Sequence, residues 1–178
     1  MSFILKLFKN RTKQVNLTIC GLDNAGKTTI VNYLINGEFK ETLPTMGIHK
    51  EEINFPKLKL SIYDLGGQVD FSGMWSSVNE KSDALVYVID SSDHFRLNES
   101  KEIFYNVLKT QINSTIPVLI LLNKIDLPNR ISRIDFINEF NLQNIQLNSN
   151  WACFETSAKT GEGILSSFHW FVNVIKEV

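Results

Sequence analysis

Residues 21–28 read Gly-Leu-Asp-Asn-Ala-Gly-Lys-Thr, and no other stretch narrows the folds open to this chain so far. The spacing is GxxxxGK[ST]. Before it stands VNLTIC (15–20), which alternates as a strand does. After it comes TTIVNYLI (28–35), which reads as a helix. A loop in that setting points backbone N–H groups inward, and the helix N-terminus adds positive dipole, so the ensemble suits an anion. Gly26 would let the backbone approach a phosphate, with Asp23, Asn24 and Ala25 completing the cradle. Lys27 would reach β- and γ-phosphates, the Thr28 hydroxyl would bind Mg²⁺, and Thr29 would lie near the α-phosphate.

The rest of the chain alternates in a way that fits this opening. IHKEEINF (48–55) and LKLSIYD (58–64) flank a Phe55-Pro56-Lys57 turn and read as a hairpin. ALVYVID (84–90) and IPVLILLN (116–123) are nearly continuous apolar runs, as in strands buried on both faces. WACFE (151–155) is a last short strand. Ile103, Phe104, Val107 and Leu108 form a helical stripe. Ile164, Leu165, Phe168, Phe171, Val172 and Ile175 are the expected inward face of a C-terminal helix. This order predicts an α/β fold of the P-loop NTPase type: a mostly parallel six-stranded sheet flanked by helices, with one antiparallel hairpin. Ligands of such sheets bind beyond the carboxyl ends of the strands, which is where the polar motifs fall.

Asn123-Lys124-Ile125-Asp126 closes a buried strand. A carboxylate there can accept two hydrogen bonds from guanine, at N1–H and the 2-amino group, and adenine offers no such pair. Asn123 can bridge the base edge and the loop, and the Lys124 stem can lie over the ring. Ser157-Ala158-Lys159 follows the last strand and puts the Ala158 N–H near guanine O6. The pattern favours GTP and GDP over adenine nucleotides, because a site that must hydrogen-bond a polar group rejects analogues lacking it. Asp64-Leu65-Gly66-Gly67-Gln68 follows the hairpin. There Asp64 would hold Mg²⁺ through water, the Gly67 N–H would meet the γ-phosphate, and Gln68 would orient the attacking water. Upstream, Thr45 in Pro44-Thr45-Met46-Gly47 would close on Mg²⁺ and the γ-phosphate. Two loops that both hold the γ-phosphate are released together when it leaves, which is a switch.

GLDNAGKTT, PTMG, YDLGGQ, NKID and TSAK stand in the order and spacing of the Arf and Arf-like small GTPases, which the chain resembles over essentially all of its 178 residues. The GLDxAGKT loop and DxGGQ are specific to that branch, and Gln68 separates the chain from Sar-type members. The resemblance implies a GDP/GTP switch at a membrane surface, with a guanine-nucleotide exchange factor, a GTPase-activating protein and effectors as partners. It also implies an interswitch hairpin, residues 48–62, that shifts register and expels an N-terminal amphipathic helix. Several positions depart from the family pattern. Ser2 replaces the glycine needed for N-myristoylation. Ile48 and His49 follow the PTMG turn, Tyr63 replaces tryptophan, and Ser76, Ser77, Val78 and Asn79 follow Trp75. Ile48, Tyr63 and Val78 would form the exposed apolar triad that effectors read, so the partner-facing surface is altered while the nucleotide residues are intact.

Residues 1–13 carry four basic side chains and no acidic one, whereas the remainder holds fourteen basic against nineteen acidic. Phe3, Ile4, Leu7 and Phe8 share one face of a helix over residues 3–9. Three readings of this segment arise. A signal peptide needs a longer apolar core than is present. A helix docked permanently on residues 14–178, the G domain, is the second. An amphipathic helix that binds an anionic membrane weakly and reversibly is the third. The net charge of −1 argues against a nucleic-acid partner. Cys20 and Cys153 read as buried thiols of a cytoplasmic protein, and the three histidines lack ligand spacing. A monomer is expected, with reversible membrane attachment. No arginine is evident to enter the site in cis, so hydrolysis should be slow, on the order of 10⁻⁴ s⁻¹ or less. The alternative function is a GTP-binding scaffold with negligible hydrolysis and a permanently docked helix. A metabolic P-loop kinase would leave NKID unexplained.

Overall fold

The computed structural model describes residues 2–10, 13–40, 50–64, 82–110, 115–145 and 150–175. Their elements are α1 (Phe3–Phe8), β1 (Val15–Gly21), α2 (Lys27–Asn36), β2 (Lys50–Phe55), β3 (Leu58–Asp64), β4 (Ala84–Asp90), α3 (Leu97–Thr110), β5 (Val118–Asn123), α4 (Arg133–Glu139), β6 (Trp151–Glu155) and α5 (Ile164–Ile175). The strands form one six-stranded sheet in the order β2-β3-β1-β4-β5-β6. Only the β2–β3 pair is antiparallel, joined by the expected turn, with Phe55 opposite Leu58.

Strand alternation divides the core in two. Leu17, Ile19, Leu60, Ile62, Val86, Val88, Leu119 and Leu121 point to the face covered by α1, α2 and α5. Cys20, Tyr63, Leu85, Tyr87, Ile120 and Leu122 point to the other, covered by α3 and α4 through Phe104, Val107, Phe136 and Phe140. The central strands β4 and β5 are apolar on both faces because both faces are covered.

On α5, Ile164, Phe168, Phe171, Val172 and Ile175 are buried as expected, but Leu165 is 39% exposed. It lies one residue out of phase with the buried positions at i, i+4, i+7, i+8 and i+11, and so faces outward. Tyr63 is the larger correction. It is 2% exposed, and it stands in register with Cys20 on the α3/α4 side of the sheet. As placed, it cannot serve as an exposed residue for effectors. Ile48 and Val78, the other members of that expected triad, lie outside the described residues, as does the start of the hairpin at 48–49.

The first segment forms a helix docked on its own domain. Ile4 and Phe8 are buried, Phe3, Leu5 and Leu7 pack partly against the same core, and Lys6 and Lys9 are exposed. Ser2 Oγ donates to the Leu34 carbonyl of α2 at 3.3 Å. The Phe3 ring meets His169 of α5 edge-on at 5.4 Å. Among the described residues no helix is long and apolar enough to cross a membrane.

Candidate functional site

Parallel register brings the carboxyl ends of the strands level. Gly21 pairs with Asp64, Asp90 with Asn123, and Leu122 with Glu155. The loops that leave these ends carry the residues singled out by sequence.

The phosphate loop turns from β1 into α2. Gly26 occupies the N-cap position with φ +93°, a left-handed conformation that favours glycine. A Cβ there would also come within 2.4 Å of Asn123 Nδ2. Glycine is thus required at this position by the close approach of the Asn123 side chain as well as by its backbone conformation. Lys27 is buried, and its ammonium donates to the carbonyls of Gly21 at 2.9 Å and Leu22 at 2.6 Å. Thr28 and Thr29 follow in the first turn of α2, both half-buried.

Asn123 ties three segments together. Its Nδ2 donates to the Ala25 carbonyl at 2.9 Å. Its Oδ1 accepts from the Ala158 N–H at 3.1 Å and from Thr156 Oγ1 at 3.4 Å. The side chain is 99% removed from solvent, where each such bond is hard to replace. Ser157 Oγ donates to Asp126 Oδ1 at 2.6 Å and accepts from the Thr160 N–H at 3.1 Å. The Asp126 carboxylate, itself exposed, is thereby aimed by a buried hydroxyl. Lys124 adopts φ +67° and its ammonium pairs with Asp90 Oδ2 at 2.6 Å.

Gly26, Thr29, Asn123, Lys124, Asp126, Ala158 and Lys159 line an open cleft of about 210 Å³. Phe39 and Leu127 line it too, and both are more than one third exposed. Sequence reasoning missed them. The one available signal was a phenylalanine within the polar run Asn36-Gly37-Glu38-Phe39-Lys40-Glu41.

The polar residues Asp90, Ser91, Ser92 and Asp93, which in sequence resemble a cap for the helix that follows, are used otherwise. Instead of capping a helix, the Asp90 carboxylate accepts from Ser92 N and Oγ and pairs with Lys124. Ser91 donates to the Asn123 carbonyl from both N and Oγ. Asp93, at the start of the short 3₁₀ turn His94–Arg96, makes no side-chain cap. The segment braces the loop that begins at Asn123. The turn also brings an arginine against the phosphate loop, a contact that the sequence did not signal. Arg96 Nη2 lies 2.6 Å from Asp23 Oδ1, and its Nε lies 2.9 Å from Glu99 Oε2. The Arg96 hydrogen bond holds the Asp23 carboxyl below the usual carboxylate range. Beneath the loop, burial pushes the Cys20 thiol up to about 12 against the opposing pull of Lys27. Cys20 is therefore a packed neutral group.

The model of the ADP-ribosylation factor family matches residues 1–175. The chain belongs to the ADP-ribosylation factor family. ADP-ribosylation factor 1 of Brassica rapa subsp. pekinensis is 36% identical over 164 residues, 92% of this chain and 90% of that protein. ADP-ribosylation factor-like protein 2 of Arabidopsis thaliana is 37% identical over 173 residues, 97% and 93%. ADP-ribosylation factor-like protein 1 of Saccharomyces cerevisiae is 34% identical over 165 residues, 93% and 90%. As an Arf-like small GTPase, the chain has the P-loop fold and guanine-nucleotide chemistry that its motifs indicate. Asp64 stands at the end of β3 in register with Gly21. Thr45, Gly67 and Gln68, assigned to the γ-phosphate side, lie outside the described residues.

Proposed function

We propose that this Arf-like protein is a GDP/GTP switch with slow intrinsic hydrolysis, whose N-terminal helix is docked with GDP and released to an anionic membrane surface with GTP. Trafficking is the setting that family membership suggests. The observation that carries the nucleotide reading is the Asn123 side chain, which joins the phosphate loop at Ala25 to the Ala158 amide beside an Asp126 aimed by Ser157.

Guanine would be recognised by the Asp126 carboxylate and the Ala158 N–H. The Phe39 ring and the Lys124 stem supply flat apolar surface in the same cleft. The residues present also fit Mg²⁺, a cation that takes few protein oxygens and leaves the rest to phosphate and water. Thr28 offers a hydroxyl one residue past Lys27, and Asp64 lies at the neighbouring strand end. With Thr45 these would hold the ion, which neutralises charge on the β- and γ-phosphates. Lys27 and the loop amides would share that task, the Gly67 N–H would meet the γ-phosphate, and Gln68 would orient the water that attacks the γ-phosphorus as GDP leaves. An exchange factor would load the switch and an activating protein would supply an arginine, adding roughly 10³–10⁵-fold to the rate.

The docked α1 supports the GDP-bound half of the cycle. Full burial of Ile4 and Phe8 is worth roughly 3–6 kcal/mol as an upper estimate. A membrane offers the same side chains a similar gain, so a modest nucleotide-dependent bias suffices to move the helix.

The test of the nucleotide reading is competition between GDP, ATP and xanthosine diphosphate for the purified chain, and for Asp126→Asn. Preference for GDP over ATP by at least a hundredfold, with a shift toward xanthosine diphosphate in the variant, is expected. ATP competing as well as GDP would contradict the assignment.

A further inference from the structure

The phosphate loop of this protein holds a carboxylate where a polyanion is to bind. Lys27, the residue that would meet the β- and γ-phosphates, is held by the carbonyls of Gly21 and Leu22. Asp23 is the next residue along that loop. Asp23 thus follows directly on the two residues whose carbonyls hold the Lys27 ammonium, and a nucleotide that engages Lys27 by its β- and γ-phosphates would bring the γ-phosphate toward this carboxylate. GTP carries the γ-phosphate and GDP does not. An unbalanced negative charge at this place would repel GTP more than GDP, and so would bias the switch toward its off state.

Arg96 meets that carboxylate. It reaches Asp23 across 73 residues of sequence at 2.6 Å, while its Nε is held at 2.9 Å by Glu99. Both contacts are charge-assisted, and Glu99 anchors the guanidinium at its Nε. Asp23, Arg96, Asp90 and Leu97 line one small hollow beside the loop. The side chains are only partly covered, Arg96 30% and Asp23 48% exposed. The pair is therefore of little consequence to folding stability. What sets the pair apart is that it joins the loop bearing Lys27 to the turn before α3.

We infer that Arg96 is a positioning residue that cancels the Asp23 charge and holds that carboxylate off the γ-phosphate, so setting how tightly the protein retains GTP relative to GDP. The inference rests on the nucleotide reading above and extends it. Arg96 acts through Asp23 and need not touch the nucleotide. Removing Arg96 exposes the carboxylate to the γ-phosphate, whereas removing Asp23 as well leaves nothing to cancel.

The experiment measures dissociation rates of fluorescent N-methylanthraniloyl GDP and of the corresponding non-hydrolysable GTP analogue from the full chain with Mg²⁺. The variants are Arg96→Ala, Arg96→Lys, Asp23→Asn and the Arg96→Ala/Asp23→Asn double. Arg96→Gln carries the test should Arg96→Ala not fold. Arg96→Ala is expected to speed release of the GTP analogue roughly tenfold more than release of GDP, the effect of one unit charge over about 6 Å in a partly hydrated site. Arg96→Lys keeps most of the wild-type ratio because it keeps the charge. Asp23→Asn holds the GTP analogue at least as well as wild type, and the double variant returns to within about twofold of wild type. Equal acceleration of both nucleotides by Arg96→Ala, or failure of Asp23→Asn to restore the ratio, would overturn the inference while leaving the nucleotide reading intact. A wild-type chain that binds neither analogue would overturn both.

Discussion

The Asn123 end of the cleft and the N-terminal helix are held by opposite kinds of force. Around Asn123 the contacts are few, directional and buried. One amide side chain satisfies a carbonyl 98 residues away and an N–H 35 residues away, and any displacement strands polar groups in a low-dielectric interior. Around α1 the described contacts are mainly apolar, with Ile4 and Phe8 buried among α2 and α5, beside a hydrogen bond from Ser2. Apolar burial has no preferred direction and can be exchanged for another apolar surface at small net cost. The proposed switch, holding its ligand in one geometry while releasing an arm, would need both kinds of contact, kept apart.

The sharpest way to break this contrast is at Asn123. Asn123→Ala leaves the Ala25 carbonyl and the Ala158 N–H without their partner, a loss of about 3 kcal/mol or a hundredfold in affinity. GDP dissociation should accelerate by at least that factor, with hydrogen exchange in α1 unchanged. Loss of α1 protection in the same variant would show that the two regions are one unit.

Phe8→Ala attacks the other side. Removing a buried phenylalanine ring costs about 3–4 kcal/mol, comparable to the whole docking energy, so α1 should lose its hydrogen-exchange protection. If GTP releases the helix, undocking must in turn favour GTP, and the nucleotide preference should move toward GTP with ATP still rejected. Unchanged preference would make α1 a permanently docked element. A smaller effect is expected at Phe39. Base–aromatic stacking is worth about 1–3 kcal/mol, and leucine keeps part of the apolar surface. Phe39→Leu should therefore speed release of GDP and GTP together, roughly fivefold, with no effect on α1. Off-rates identical to wild type would remove Phe39 from the site.

The smallest effect concerns pH. Arg96 depresses the Asp23 pKa in the folded protein, so the pair's contribution to stability is fully present above the unfolded carboxylate value near 3.9 and is lost as pH falls through the lower folded value. The Tm difference between wild type and Arg96→Ala should be small and constant from about pH 5 upward, and should vanish at more acidic pH. A difference that grows toward acid would contradict the pairing.

Much of this molecule could be read from local pattern. The loop at 21–28, the hairpin turn at 56–57 and the two-faced burial of 84–90 each declare themselves within a few residues, because backbone geometry and strand periodicity act over that range. What escaped were contacts between distant segments. Arg96 with Asp23, Lys124 with Asp90, and Phe39 in the base cleft join residues whose spacing carries no local signal. Tyr63 escaped for another reason. Its chemistry and its place by analogy suggested an exposed residue, whereas the alternation of β3, pinned by register with Cys20, turns it into the core. Leu165 shows the same limit in a helix, where one apolar residue beside an apolar stripe need not belong to it.

The central claim is that an apolar-held helix answers to a polar-held nucleotide site. Its most direct test is flotation of the full-length protein with anionic liposomes, loaded with GDP or with a non-hydrolysable GTP analogue, beside a chain lacking residues 1–13. The account predicts that only the full-length protein with the GTP analogue floats. Flotation of both nucleotide forms, or of neither, would contradict it.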